Sequence, residues 1–247
     1  MQPANKLLYF LPGFMGSALT VDHQAVWLDM AALMWGDFSR LTVEAANVSS
    51  TGVLEAAYQP LLDSLATSYT VQPFAYDWRL SFLESGKQLA QALTQQLDAA
   101  KAQQQSLTIR FLAQGAGGLA LKGLKAVAPE VWQRVQTEAG GRSVLLGTPL
   151  NGTFSMVQLL LGQHRLIRLL DSLDGKASGA DKIADQFATY AGVLEQLPLN
   201  YVDPAVWGLP IGNRYENWAG RAALSQAQST RAQWYAVSLE PNNTCYV

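Results

Sequence analysis

Residues 107–124 read LTIRFLAQGAGGLALKGL, and this segment carries the clearest signal of the fold class. Its first six residues form a short, mostly apolar run of the kind that builds a buried strand. The next six hold three glycines, which mark a sharp turn. Leucines then continue in a helical pattern at Leu119, Leu121 and Leu124. A strand, a glycine turn and a helix in succession are typical of an α/β protein with a parallel sheet.

The same alternation continues on both sides of this stretch. Apolar or alternating runs over residues 7–11, 69–74 and 142–146 predict strands, and apolar residues at helical spacing over 54–65 and 89–100 predict helices. We therefore predict an α/β fold with a mostly parallel central sheet and helices on both faces.

The second half of the chain has a different pattern. From Asn151 to about Ala227 helical spacing dominates, which predicts an inserted helical cap. Gln233 to Leu239 returns to a strand-like composition. We predict a single domain over residues 1–247, with a core of 1–150 and 228–247 and a helical cap of about 151–227.

Composition excludes several classes of protein. Hydrophobic residues make up 49% and charged residues 15%, as in a globular chain. The net charge of −2 and the lack of basic runs argue against nucleic acid as a partner. One cysteine, Cys245, and two histidines supply neither an internal disulfide nor a recognisable metal site, so we expect no metal and no cofactor. The same cysteine usage predicts a reducing, cytoplasmic location.

The sequence predicts neither a targeting signal nor a membrane-spanning helix. Residues 1–10 lack the length and cleavage pattern of a signal peptide, and they read as the first strand. The longest apolar neighbourhood, residues 156–170, is interrupted by Gln163, His164, Arg165 and Arg168. A membrane helix needs roughly 20 apolar residues, so we predict no transmembrane segment.

The glycine turn carries the chemical question. A serine hydrolase of this architecture places its nucleophile at the tight turn between a strand and a helix, with small residues two positions away on each side. Gly115 occupies that position, flanked by Ala113 and Gly117. Glycine has no oxygen with which to attack a carbonyl, so no catalytic residue is predicted to be intact and Gly115 is a degenerate nucleophile position.

Three further segments carry a family resemblance. Residues 11–17, LPGFMGS, resemble the oxyanion-loop motif of the lecithin:cholesterol acyltransferase family. Residues 74–79, FAYDWR, resemble its Tyr-Asp-Trp-Arg segment, and residues 146–152, LGTPLNG, its Gly-Thr-Pro loop. The likeness covers most of residues 6–152 and implies an α/β-hydrolase-like fold with lipase-like or acyltransferase-like ancestry.

The chain departs from that family at the elbow. The family usually reads His-Ser-Met-Gly-Gly where residues 114–118 read QGAGG, so three of five positions differ. Changes at Gln114 and Ala116 as well as Gly115 favour natural degeneration over an engineered knockout. In the family the acid follows the last strand in a Gly-Asp-Gly segment, which this sequence does not reach. We expect His164 to be a surface or packing residue, while His23 lies upstream of the elbow.

What remains is a binding region. The backbone near Phe14 and Met15 and the amide of Ala116 resemble a vestigial oxyanion hole, where a helix N-terminus adds partial positive charge and a small anion or carbonyl fits. Ser17 has no evident base beside it. Asp77 and Arg79 are expected to pair and anchor their loop, and Asn151 and Thr153 to serve turns and caps.

Three functional hypotheses follow. The leading one is a degenerate, non-catalytic hydrolase domain that acts as a binding, scaffolding or regulatory module of a larger protein. The alternative is a serine-type lipid or ester hydrolase or acyltransferase whose missing residues are supplied elsewhere. The third is a pocket that binds an acyl or lipid-like small molecule without cutting it. Fold alone does not choose among them.

Overall fold

The computed structural model describes residues 6–29, 31, 34, 37–173, 179–201, 220–240 and 242–247. The strands are β1 (Lys6–Leu11), β2 (Ser17–Val21), β3 (Gln24–Trp27), β4 (Val48–Val53), β5 (Thr70–Pro73), β6 (Thr108–Gln114), β7 (Arg142–Leu146) and β8 (Thr244–Tyr246). The α-helices are α1 (Glu55–Ala66), α2 (Phe82–Ala102), α3 (Gly117–Val127), α4 (Pro129–Glu138), α5 (Phe154–Leu160), α6 (Arg165–Leu173), α7 (Ala180–Phe187), α8 (Ala191–Leu194) and α9 (Gly220–Tyr235). Short 3-10 helices span Asp37–Leu41 and Leu199–Tyr201.

The central sheet has five parallel strands in the order β5-β1-β6-β7-β8. The prediction of a parallel sheet with the strand of residues 107–112 near its middle is confirmed, since β6 pairs with β1 on one side and β7 on the other. The carboxyl ends of β1, β6 and β7 consequently lie side by side, and ligands of open parallel sheets bind at such ends.

Helices cover both faces of this sheet, as predicted. Alternate residues of β1 point to opposite faces: Leu7, Tyr9 and Leu11 join the large hydrophobic core. Leu8 and Phe10 join a smaller cluster with Leu62 of α1. The large core lies beneath α2 and α3, whose buried leucines pack against each other and the sheet.

A second, antiparallel sheet of β3, β2 and β4 was not predicted. The β2–β3 hairpin turns at Asp22 and His23, which both have positive φ, 50° and 64°. Two consecutive residues in this conformation make the kind of tight turn that matches strand twist. The sequence signal for β2 is the spacing of Leu19 and Val21 around Thr20, and the structure buries these two apolar side chains.

The predicted strand over Gln233–Leu239 is wrong. Helix α9 runs to Tyr235, and the last strand of the sheet is β8, residues 244–246. The aromatic pair Trp234 and Tyr235 has β-like composition, but the buried positions of this helix follow helical spacing. Among residues 223–235 they are Leu224, Ala227, Thr230, Arg231 and Trp234. Burial of one helix face outweighs the strand preference of two aromatic residues.

Between β7 and β8 the described residues form only helices and loops. The parts of this region at 174–178 and 202–219 lie outside the described residues. The division into core and cap therefore stays a prediction. In the described part of the chain, no helix combines the length and apolarity needed to cross a membrane.

Candidate functional site

A cleft of about 330 Å³ opens where β1, β6 and β7 end. Its volume is at the lower end of the range of small-molecule sites. The lining residues are Gly13, Phe14, Tyr58, Gln114, Gly115, Ala116, Gly147, Pro149, Thr153 and Gln196. The structure thus brings together three of the segments singled out in the sequence: the loop after β1, the glycine turn and the Gly-Thr-Pro loop.

Gly115 lies at the turn between β6 and α3, as predicted, with a φ of +52°. Its amide donates to Leu146 O at 2.8 Å, and its carbonyl accepts from Gly118 N at 3.1 Å. Side chains rarely adopt this left-handed φ, and the nucleophile of an α/β-hydrolase is held in just such a strained turn. A Cβ built here would contact only Gly13 Cα, at 3.7 Å. The elbow geometry is present, with room for a side chain that the sequence does not supply.

Gly117 allows the helix to approach the loop after β1. A Cβ at this position would lie 2.5 Å from Leu11 O and 2.8 Å from Pro12 O. These are backbone atoms, so a side chain here would force the start of α3 away from the end of β1. Gly117 therefore sets the distance between the elbow and the oxyanion-loop segment.

Two of the three predicted binding residues line the cleft. Phe14 and Ala116 do so, and neither backbone amide has an acceptor among the residues that the structure describes. Ala116 stands at the N-cap of α3, where the helix dipole favours negative charge. Met15 is not among the lining residues: its side chain is buried in the large core, and its carbonyl accepts from Trp27 Nε1 at 2.8 Å.

A hydrogen-bond chain that the sequence did not predict orients the cleft. Gly13 N donates to the Tyr58 hydroxyl at 3.3 Å, and that hydroxyl donates to Gln114 Oε1 at 3.0 Å. Because Oε1 is the accepting atom, Nε2 remains as the donor of the Gln114 amide, and it has no hydrogen-bond acceptor among the described residues. Burial raises the pKa of Tyr58, so its hydroxyl keeps its proton. The sequence predicts Tyr58 only as one of the apolar residues at helical spacing over 54–65.

The Tyr-Asp-Trp-Arg segment holds the oxyanion loop from behind. Tyr76 Oη donates to Pro12 O at 2.9 Å, and Trp78 Nε1 donates to Ser17 O at 3.1 Å. The Ser17 hydroxyl is itself buried and accepts from Tyr76 N at 3.0 Å. Ser17 is thus a structural residue, in agreement with the prediction that it is not a replacement nucleophile.

Asp77 and Arg79 form the expected pair. Arg79 Nε and Nη2 donate to the two carboxylate oxygens at 3.0 and 2.6 Å, and both side chains are buried. Arg79 Nη1 also donates to Thr42 O at 2.6 Å. The pair fixes its loop and does not line the cleft. Thr153 caps α5 by accepting from Ser155 N, which confirms its capping role.

Both histidines lie outside the set that lines the cleft. His23 is exposed at the tip of the β2–β3 hairpin. His164 Nδ1 accepts from Leu166 N at 3.1 Å at the start of α6, and Nε2 lies 3.3 Å from Ser155 Oγ. Since Nδ1 is an acceptor, a neutral His164 carries its proton on Nε2 and cannot take one from Ser155. Burial and the charge of Arg165 lower its pKa. His164 therefore caps the start of α6, a role that the prediction of a surface or packing residue did not include.

Metal binding finds no support in the described part of the chain. No group of three or more His, Cys, Asp or Glu residues is placed to hold an ion there. The donors that face the cleft are amides and a hydroxyl, which suit an oxygen acceptor on a ligand rather than a cation.

No protein-family model and no curated protein matches the chain. A crystal structure of the Tle4–Tli4 complex is similar over 99% of this chain and 74% of that chain, with a TM-score of 0.71 and 13% identity. Bacillus licheniformis lipase BlEst2 in its propeptide form has a TM-score of only 0.35 and 14% identity, over 76% of this chain and 32% of that chain. The first likeness shows the fold, which is α/β-hydrolase-like.

Proposed function

We propose that this chain is a non-catalytic α/β-hydrolase-like domain that serves as a binding, scaffolding or regulatory module of a larger protein. One observation carries the proposal: the turn after β6 keeps the backbone of a nucleophile elbow, with φ +52°, while Gly115 offers no nucleophilic atom. The covalent route of a serine hydrolase needs that atom. The motif resemblance to the lecithin:cholesterol acyltransferase family supports descent from a lipase-like or acyltransferase-like enzyme.

The surroundings of the elbow support the same conclusion. The neighbouring serine, Ser17, is buried and holds backbone. Ser155 meets a histidine ring, but His164 presents its protonated nitrogen to that hydroxyl. A serine without an accepting base stays a weak nucleophile near neutral pH.

The alternative is a lipid or ester hydrolase or acyltransferase completed by residues from elsewhere. The observation that favours it is the space at Gly115, where a side chain would meet only Gly13 Cα at 3.7 Å. Such an enzyme would need a nucleophile delivered into the cleft from another segment or chain. The proposal of a binding module does not require that addition.

The cleft is suited to a carbonyl or a carboxylate. Its free donors are the amides of Phe14 and Ala116 and the side-chain nitrogen of Gln114, and the start of α3 adds partial positive charge. Phe154 follows the cleft residue Thr153, is largely exposed and packs edge-on against Tyr201 at 5.7 Å. An acyl or lipid-like molecule with a polar head in the cleft and its chain along this rim satisfies both features.

Octanoate is expected to raise the unfolding temperature of the protein, whereas octanol, which lacks the carboxylate, is not. Gln114→Glu should weaken octanoate binding by about tenfold, since one close like-charge contact in a partly exposed site costs on the order of 1–2 kcal/mol. The variant keeps the acceptor for Tyr58. Gln95→Glu on the exposed side of α2 is the matched control. If Gln114→Glu and Gln95→Glu bound octanoate with equal affinity, the cleft would be excluded as the octanoate site.

A further inference from the structure

A buried carboxylate, that of Glu195, lies next to the cleft residue Gln196. Glu195 follows α8 and is fully buried. Its Oε2 accepts from Phe82 N in the first turn of α2 at 3.1 Å and from Trp234 Nε1 of α9 at 3.0 Å. One carboxylate oxygen thereby joins three separate elements. Its other oxygen, Oε1, has no hydrogen-bond partner in the part of the chain that is described.

The charged groups around Glu195 come from two helices. Arg231 of α9 is buried and donates through Nη1 to Leu197 O, while Nε and Nη2 have no partner among the described residues. Lys122 of α3 faces the Trp234 ring, with Nζ 5.5 Å from its centroid, and donates to Tyr235 O. The start of α2 contributes the Ser81 hydroxyl and the Phe82 amide to the surroundings of Glu195. The charged residues Glu84 and Lys87 of the same helix pair with each other at the surface.

Burial dominates the acid–base behaviour of Glu195. Loss of water around the carboxylate raises its pKa to about 7, although the nearby Ser81 hydroxyl, the hydrogen bonds from Phe82 N and Trp234 Nε1 and the charge of Arg231 oppose the rise. The side chain therefore changes charge near neutral pH, at a position that is fully buried from solvent.

Glu195 is directly connected to the elbow cleft. The next residue, Gln196, lines the cleft, and its carbonyl accepts from Thr153 N at 2.8 Å. Gln196 Nε2 donates to Gly192 O, and this hydrogen bond ties the two ends of the short segment 192–196 together. Arg231 donates to the carbonyl of the next residue, Leu197.

We propose that Glu195 is a pH-sensitive latch between the start of α2, α9 and the Gln196 wall of the cleft. While the carboxyl is neutral the closed arrangement is stable, and when it ionises, states that open to expose the charge to water become more populated. The inference does not depend on the ligand or on the absence of catalysis. On this proposal, the rigidity of the cleft wall at Gln196 changes over a narrow pH range. The residue that controls it, Glu195, does not line the cleft.

The sign of the effect follows from the two pKa values. An unfolded glutamate ionises near 4.5 and the folded one near 7, so the folded protein holds the proton more tightly. The stability contributed by neutral Glu195 is complete below the lower value and is lost as the pH rises through about 7.

Glu195→Gln should therefore match the parent near pH 5 and unfold about 5 °C higher by pH 8, a shift that corresponds to a few kcal/mol for a chain of this size. Hydrogen exchange over residues 191–197, corrected for the intrinsic rate, should be faster in the parent than in Glu195→Gln at pH 8 and equal at pH 5. Glu84→Gln, at an exposed position of α2, should follow the parent at every pH.

A second variant keeps the test decisive if Glu195→Gln folds poorly. Trp234→Phe removes a hydrogen bond that favours the anion, so the pH midpoint of the stability change should move upward whatever the overall loss of stability. A difference between parent and Glu195→Gln that is the same at pH 5 and pH 8, or an unmoved midpoint in Trp234→Phe, would overturn the latch.

Discussion

Replacing Arg79 with methionine is expected to destabilise the protein by about 3–5 kcal/mol, because it leaves the Asp77 carboxylate buried without its partner. The guanidinium is almost fully buried and makes two bonds to Asp77 and one to Thr42 O. Denaturant unfolding monitored by circular dichroism measures the change. The loss should exceed that of a typical surface pair several-fold.

The surface pair of Arg134 supplies the control. Arg134 contacts Asp98 at 2.8 Å and Glu138 at 2.9 Å, and both carboxylates are substantially exposed. Arg134→Met should cost no more than about 1 kcal/mol. Adding Asp77→Asn to Arg79→Met should recover part of the loss, since the uncompensated charge is then gone. Equal costs for Arg79→Met and Arg134→Met would show that the Asp77 pair does not anchor the loop.

Gly117→Ala is expected to lower the free energy of unfolding by about 3 kcal/mol or more. The added methyl group would overlap the carbonyl oxygens of Leu11 and Pro12, at 2.5 and 2.8 Å, and backbone atoms cannot rotate away as a side chain would. Alanine favours a helix over glycine by only about 1 kcal/mol, which does not offset this overlap.

Gly52→Ala is the matched control, because a methyl group at Gly52 of β4 meets nothing within 4 Å. That substitution should change the free energy of unfolding by no more than about 0.5 kcal/mol in either direction. Should Gly117→Ala unfold at the same denaturant concentration as Gly52→Ala, the close approach of α3 to the oxyanion loop would be refuted.

The central part of the fold was predictable because its signals are local. The strand of residues 142–146 was placed at its observed bounds, and the turn at Gly115 followed directly from the glycines that surround it. The spacing of a strand, a turn and a helix leaves few other arrangements.

The features that were missed depend on contacts between distant residues. The carboxylate of Glu195 is buried only because Trp234 and Phe82, 39 and 113 residues away in sequence, close over it. Tyr58 reaches Gln114 across 56 residues. The strand wrongly placed at 233–239 failed for the same reason, since tertiary burial of the α9 face overrode local β preference.

Exposure of the unaltered protein to a fluorophosphonate probe, together with an assay of short-chain p-nitrophenyl ester hydrolysis, measures whether the domain has serine-hydrolase activity. The probe reacts only with an activated serine, and the position that would hold one is Gly115, while the two histidines of the chain lie at a hairpin tip and a helix start. We expect no labelling and no hydrolysis above the buffer rate. Gly115→Ser, run in parallel, should also fail to turn over, because the restored hydroxyl still lacks a base. Stoichiometric labelling of any serine in the unaltered protein, or multiple turnover by it, would contradict the proposal that the domain is non-catalytic.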